Sequence, residues 1–114
     1  MRSDEERLRD ILQAIEKIEK YIAKGEEAFR NDEMLQVWFI HHIQMIGEAS
    51  AKIATDFKEK HNSIPWQDIV DMRNILVHQY FGIDINQIWD TIQIDIPVVK
   101  RRISDLLNEI GHSM

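Results

Sequence analysis

The sequence contains 114 residues and no cysteine, with 44% apolar and 30% charged residues, which is typical of one soluble domain. We therefore expect a single helical domain over residues 1–114 with one hydrophobic core. The longest unbroken apolar run covers residues 37–40, far short of the roughly 20 residues that cross a bilayer. The charged N-terminus also lacks the apolar stretch of a secretory signal. We therefore expect a cytoplasmic protein without a membrane partner.

The net charge restricts how the chain could bind nucleic acid. It is −6, from 20 acidic against 14 basic residues, which argues against a diffuse positive surface. Any such binding must therefore be local. Three consecutive basic residues at 100–102 indicate either a solvated helix face or a phosphate contact. The absence of cysteine excludes disulfides, thiolate zinc sites and thiol nucleophiles.

The first helix is predicted by its cap and its periodicity. Ser3 and Glu6 have the spacing of a capping box, and Gly25 provides a C-terminal stop. Between them, apolar residues recur every three or four positions, which is one face of a helix. These residues are Leu8, Ile11, Leu12, Ile15, Ile18 and Ile22.

A second helical stretch is predicted from about Glu26 to Lys60, with a possible new start at residues 31–32. Gly47 lies in the middle of its apolar face, where glycine costs about 1 kcal/mol relative to alanine. It therefore predicts a kink or a close approach by another backbone, and packing is the favoured reason. The consecutive apolar residues 38–40 face all round this helix, and such excess apolar surface favours a C2 homodimer.

Two further helices complete the predicted fold. Pro65 indicates the start of a third helix that ends near Gln79, and Asp84 is the predicted cap of a fourth. Pro97 falls inside the fourth helix and predicts a kink near Gln93. The chain shows no internal repeat, so we expect an all-α antiparallel four-helix bundle with kinked second and fourth helices.

The histidines give no metal site by their spacing. His41 and His42 are adjacent, whereas a zinc protease motif needs two histidines four residues apart around a glutamate. We interpret both as structural residues of the second helix. The sequence also lacks a glycine-rich phosphate loop and a nucleophile elbow. We therefore expect neither a metal nor a cofactor.

Polar functional groups surround an apolar centre in residues 73–80. Arg73 offers a guanidinium suited to phosphate, His78 an imidazole that titrates near neutrality, Asn74 an amide, and Tyr80 a phenol. Arginine and histidine together can cleave RNA without a metal, because the ribose 2′-OH is an internal nucleophile. The competing interpretation is a satisfied polar face, since an Arg-x4-His pair arises by chance at about 0.3 per chain.

The surroundings of this pair resemble a known family. The HEPN superfamily is a four-helix domain with an Arg-x4-6-His motif whose first variable position is polar, as Asn74 is. More narrowly, Arg73, His78 and Tyr80 match the Arg-x4-His-x-Tyr pattern of HepT ribonuclease toxins, which are encoded beside a minimal nucleotidyltransferase (MNT) antitoxin. Flanking features also resemble that group over about residues 8–107. They are Ile46-Gly47-Glu48-Ala49, Ile64-Pro65-Trp66, Met72-Arg73-Asn74, Ile83-Asp84 and Ile88-Trp89.

The resemblance implies a role for each motif residue. Arg73 and His78 would be catalytic, Asn74 a supporting polar residue, and Tyr80 the hydroxyl that the partner nucleotidyltransferase AMPylates to silence the toxin. Members are homodimers that cut RNA in a shared cleft without a metal. The implied partners are therefore a second copy of the chain, an MNT-type antitoxin and RNA.

Several alternatives remain open at the level of sequence. Glu48 is either a helix-pairing residue tied to Gly47 or an acid that orients a motif residue. The tryptophans favour core or interface packing over base stacking, because each lies in an apolar periodic context. The chain could also be a non-catalytic HEPN subunit that binds a nucleotidyltransferase, or an unrelated dimeric adaptor.

Overall fold

Amphipathic periodicity produces a helical chain in the computed structural model, which describes residues 2–78 and 84–112, with side chains for residues 2–73 and 84–111. No strand occurs in these ranges, which confirms the all-α class. A five-residue π-helical segment, Thr91–Asp95, separates the last two helices. The α-helices are α1 (Asp4–Ile22), α2 (Glu26–Asn31), α3 (Glu33–Ala51), α4 (Thr55–Lys60), α5 (Trp66–His78), α6 (Ile85–Asp90) and α7 (Ile96–His112).

Helix α1 begins and ends as its sequence predicts. The Glu6 amide donates to the Ser3 hydroxyl and the Ser3 amide donates to the Glu6 carboxylate, both at 3.1 Å, so the capping box is confirmed. Gly25 has a φ of 91°, a backbone conformation that glycine adopts without a steric penalty. The chain therefore turns here from α1 into α2.

The predicted second helix is divided into three, which corrects the expectation of one kinked helix. The new start at residues 31–32 is confirmed, because the Asp32 carboxylate accepts from the amides of Met34 and Leu35 and caps α3. A second break follows Ala51. There the Ala54 amide donates to Asp4 at 3.1 Å, a contact from another helix that local sequence cannot reveal.

Helix α3 lies at the centre of the bundle, between α1 and α5. It runs antiparallel to α1, because Trp38 Nε1 donates to the Lys17 carbonyl at 2.8 Å near one end while Ala54 contacts Asp4 near the other. The interior is almost wholly aliphatic and aromatic, so burial of apolar surface drives its assembly. Its largest fully buried side chains include Phe29, Phe39, Leu8, Ile11, Ile15, Ile43, Ile46 and Ile69.

The kink predicted in the fourth helix takes the form of the π-helical segment. Pro97 has no amide hydrogen to donate to the Gln93 carbonyl, and the preceding amide, of Ile96, bonds instead to the carbonyl of Thr91, five residues earlier. The extra residue in this turn divides the predicted helix into α6 and α7. Helix α7 also packs on α1, where Lys100 contacts both carboxylate oxygens of Glu19 at 2.8 and 3.0 Å.

No helix in the described ranges combines the length and apolar character needed to span a bilayer. The basic triplet at 100–102 lies on α7. Lys100 pairs with Glu19, and Arg102 donates to the Ser63 carbonyl at 3.1 Å. Two of its three cations are therefore engaged within the protein, which favours the solvated helix face over the phosphate contact.

Gly47 marks the close approach of two helices. A Cβ atom added to Gly47 on α3 would lie 2.8 Å from the Cβ of Arg73 on α5 and 3.2 Å from its backbone nitrogen. Carbon atoms do not pack at that separation without displacement. Of the two interpretations of Gly47, the close approach is therefore confirmed, and α3 continues past it to Ala51.

Replacing Gly47 by alanine should destabilise the fold. Alanine gains about 1 kcal/mol in helix propensity, but overpacking costs about 1–3 kcal/mol, and the atom it meets belongs to the root of a side chain. We expect a net loss of up to about 2 kcal/mol in the free energy of unfolding by urea. Gly111→Ala is the matched control, because nothing lies within 4 Å of its added Cβ. A Gly47→Ala protein as stable as that control would contradict the packing argument.

Candidate active site

Two of the predicted site residues meet across the α3–α5 contact. Arg73 Nη1 lies 3.1 Å from Glu48 Oε1, with exposed side-chain fractions of 31% and 55%. An ion pair this exposed contributes little to stability. Its effect is geometric: Glu48 engages Nη1, which is one of the three nitrogens through which a guanidinium donates. The contact joins α3 to α5 beside Gly47 and also reaches a motif residue, so it agrees with both interpretations of Glu48.

The remaining motif residues can be placed only in part. Asn74 and His78 belong to α5, and their side chains lie outside the described residues. Tyr80 also lies outside the described residues. Arg73 and His78 are five positions apart on one helix, which separates them by about 140° around the axis and about 7.5 Å along it. A long arginine side chain can bridge such a separation.

Lys58 places a second cation in the environment of Arg73. Burial lowers the pKa of Lys58, the positive charge of Arg73 lowers it further, and the carboxylate of Asp4 opposes both effects. Helix α4, which begins after the break that follows Ala51, carries this lysine. Sequence reasoning missed Lys58, because no spacing rule connects two residues on helices separated by a loop.

His42 is a buried structural residue, as its helical context predicts. Its exposed fraction is 7%, and its Nδ1 lies 2.7 Å from the carbonyl of Trp38. A carbonyl can only accept, so Nδ1 carries the proton. Burial lowers the pKa of His42, although that hydrogen bond opposes the shift. The lowered pKa favours the neutral form of the His42 imidazole. No group of metal ligands occurs in the described ranges.

The tryptophans are packing residues, as expected. Trp66 is buried and donates from Nε1 to the His61 carbonyl at 3.0 Å. Trp89 stacks obliquely on Phe29, with ring centroids 5.2 Å apart. Trp38 makes an edge contact with Tyr21 at the same centroid distance. These contacts favour core packing over base stacking.

An open groove of about 730 Å³, which we call the acidic groove, lies beside α5, α6 and the π-helical segment. Its charged lining residues are Asp68, Asp71, Asp84, Asp90 and Asp95. Burial raises the pKa of Asp95, and the nearby carboxylates of Asp90 and Asp68 add to the shift. Such a groove repels phosphate, so an RNA strand is not expected to lie along this side of α5.

Comparison with known proteins identifies relatives over almost the whole chain. The family described as "Ribonuclease HepT-like" matches residues 11–106. A protein of Thermococcus cleftensis that is named for ribonuclease HepT is 41% identical over 106 residues, which cover 92% of this chain and 96% of the relative. A protein of Caldanaerobacter subterraneus subsp. tengcongensis named as an RNase is 36% identical, covering 90% and 92% of the two chains.

One relative is longer than this chain, and its name includes a second activity. A protein of Methanocaldococcus jannaschii, whose name combines gamma-glutamylcyclotransferase with RNase, is 39% identical over 104 residues. That match covers 90% of this chain and spans 47% of the relative. No solved structure matches the chain.

Proposed function

Because the chain belongs to the HepT-like ribonuclease family, we propose that it cleaves RNA without a metal at a site built on Arg73 and His78. The observation that carries this proposal is the placement of Arg73. The α3–α5 contact at Gly47 fixes the root of its side chain, Glu48 holds one side of its guanidinium, and Lys58 adds positive charge nearby. A fixed cation in this setting suits a phosphodiester whose negative charge increases during reaction.

The proposed reaction is an internal transfer. The ribose 2′-oxygen attacks the adjacent phosphorus, and the bond from phosphorus to the 5′-oxygen of the next nucleotide breaks. A base removes the proton of the 2′-OH, and an acid supplies a proton to the departing 5′-oxygen. The products are a 2′,3′-cyclic phosphate and a 5′-OH end. Arg73 would stabilise the charge that accumulates on the phosphorane.

The need for both a base and an acid supports a dimeric site. One imidazole cannot hold and lack a proton at once, whereas a symmetric dimer would supply two copies of His78 and of Arg73 around one phosphate. It would also concentrate positive charge locally in a protein whose net charge is −6. We therefore propose a C2 homodimer that joins two motifs in one cleft, with Asn74 as a supporting polar residue.

Glu48 acts in this proposal as a positioning residue. Its carboxylate contacts the Arg73 guanidinium at 3.1 Å and does not touch the reacting atoms. It partly restricts the arginine before the substrate arrives, which lowers the entropy cost of binding a phosphate. Replacement by glutamine keeps an oxygen acceptor but removes the charge, so it should weaken the restriction without abolishing cleavage.

Tyr80 supplies the proposed means of regulation, in a toxin–antitoxin pair with an MNT-type nucleotidyltransferase. It lies seven residues after Arg73 in the sequence. AMP attached to its hydroxyl would bring a phosphate with at least one negative charge, which the Arg73 guanidinium can bind. The nucleotide would also occupy the volume intended for RNA. Modification would therefore block the substrate and neutralise the arginine together.

Cleavage should depend on the motif and not on a metal. We expect His78→Ala to lower kcat/KM by about 10²- to 10⁴-fold and Arg73→Ala by a comparable factor. Glu48→Gln should cause a smaller loss, and Arg101→Ala on the exposed face of α7 should be neutral. EDTA should leave the rate unchanged, and a 2′-deoxy substrate should resist. The measurement is gel-resolved cleavage of labelled RNA, with end-group analysis for the cyclic phosphate. Loss of activity with EDTA while His78→Ala stays active would refute the mechanism.

The proposed dimer can be tested directly in solution. Sedimentation velocity at micromolar protein should give the mass of two chains, and the species should persist on dilution to the concentration used for cleavage assays. Mixing wild-type protein with an excess of His78→Ala protein should lower the activity per wild-type chain, because each mixed dimer keeps only one of the two imidazoles. A concentration-independent monomer that cleaves RNA would contradict the shared cleft.

The proposed modification requires an MNT-type nucleotidyltransferase encoded beside this chain and is tested by co-expression with it. Intact-mass analysis should show AMP-sized increments that disappear in Tyr80→Phe. Tyr21→Phe is the matched control, because Tyr21 is the other tyrosine of the chain and packs against Trp38. Full neutralisation of a protein without added mass would mean inhibition by complex formation alone. If neither expression of this chain alone nor its co-expression with the nucleotidyltransferase affects cell growth, the non-catalytic binding subunit is favoured.

A further inference from the structure

Two grooves of unlike charge border opposite sides of α3. Ile43 borders the acidic groove, whereas His41, Met45 and Glu48 border a second groove of about 700 Å³ between α1 and α3, which we call the basic groove. On a helix with 100° per residue, Ile43 lies about 170° from the centre of the second set. The two grooves therefore face opposite directions.

The basic groove is formed by one stripe from each of two antiparallel helices. Helix α1 contributes residues three or four positions apart, and α3 contributes a similar stripe. The floor between them contains the small side chains of Ala14 and Ala49, and Met45 is the large apolar residue of the lining. The charged and histidine lining residues are Arg2, Arg7, Asp10, Lys17, His41, His42, Glu48 and Lys52.

Three cations in this groove lack a carboxylate partner within the described parts of the chain. Arg2 is engaged by Asp10, at 2.7 Å from Nε and 2.5 Å from Nη2, and Glu48 is engaged by Arg73. These pairs account for both acids of the lining. Arg7, Lys17 and Lys52 form no ion pair with another described residue. Arg7 and Lys17 are ten residues apart on α1, which spaces them about 15 Å along the groove.

The basic groove is continuous with the candidate active site. Glu48 lines the groove, and its carboxylate contacts Arg73 on α5. A strand bound at Arg73 would therefore leave the site beside Lys52 and meet Arg7 and Lys17 along α1. The polar lining, with Gln13, Gln44 and the exposed His41, suits a solvated backbone better than the apolar centre of a protein interface.

We propose that the basic groove binds the ribose-phosphate backbone of the RNA strand that extends from the cleaved phosphate. This inference rests on the proposed ribonuclease function, because the cleaved phosphate at Arg73 sets where the bound strand begins. The spaced cations contact successive phosphates, while the acidic groove repels the strand from the opposite side of the bundle. Binding is independent of sequence, because phosphates carry no base information, and the groove adds affinity for long substrates and none for a dinucleotide.

The test compares two double variants with equal loss of charge. Lys17→Gln with Lys52→Gln removes two exposed cations of the basic groove, and Lys20→Gln with Lys60→Gln removes two exposed lysines outside it. The probe is a fluorescein-labelled 2′-O-methyl oligoribonucleotide, which cannot be cleaved because its 2′-oxygen is blocked. Fluorescence anisotropy over a series of salt concentrations gives the dissociation constant and its salt dependence.

The groove variant should weaken binding about 10- to 25-fold near 0.1 M salt and reduce the slope of log K against log[salt] by about 1.4, at about 0.7 per phosphate contact. The control variant should bind as the wild type does. Cleavage of a dinucleoside monophosphate should be equal in all three proteins. If the two variants bind the probe equally and with equal salt slopes, the inference is overturned. An acidic protein segment would then be the ligand that fits the groove.

The same measurements separate this inference from the proposed activity. A wild-type protein that binds the probe through the groove but cleaves no RNA would refute the ribonuclease proposal and uphold the groove. A protein that cleaves long RNA equally well with and without Lys17 and Lys52 would uphold the ribonuclease proposal and refute the groove. Thermal unfolding of both variants shows whether a difference in binding reflects a difference in folding.

Discussion

The close approach of α3 and α5 at Gly47 is the constraint on which the rest of the molecule depends. Without a Cβ at this position, the backbone of α5 can lie against α3 so tightly that an added methyl would come within 2.8 Å of Arg73. The same contact brings Glu48, the next residue of α3, to the Arg73 guanidinium. Packing and the geometry of the candidate site therefore have one origin, and a change in helix separation would alter both.

The distribution of charge explains how an acidic protein could act on RNA. A net charge of −6 describes the whole surface and does not describe the field at any one place. Five aspartates line one groove, and three cations that form no ion pair with the described residues line the groove on the other side of α3. In our proposal this separation guides a polyanion to the side of the bundle where the basic groove meets Arg73.

Family membership and local geometry support different parts of the functional argument. The HepT-like match over residues 11–106 supports an RNase and says nothing of which atoms act. The ion pair of Arg73 with Glu48 gives one motif residue a fixed position, and α5 includes His78. The roles of His78 and Tyr80, the dimeric cleft and the nucleotidyltransferase partner remain proposals that the experiments above address.

The sequence by itself determined the helical class, the cap of α1, the start of α3 at Asp32 and the interruption before Pro97, because each depends on residues within a turn or two of each other. It also identified Gly47 and the motif around Arg73. Only the tertiary structure decided the break after Ala51, the approach of Lys58 to Arg73 and the opposed grooves. These features depend on which helices pack together, and burial of apolar side chains fixes that arrangement through contacts between residues distant in sequence.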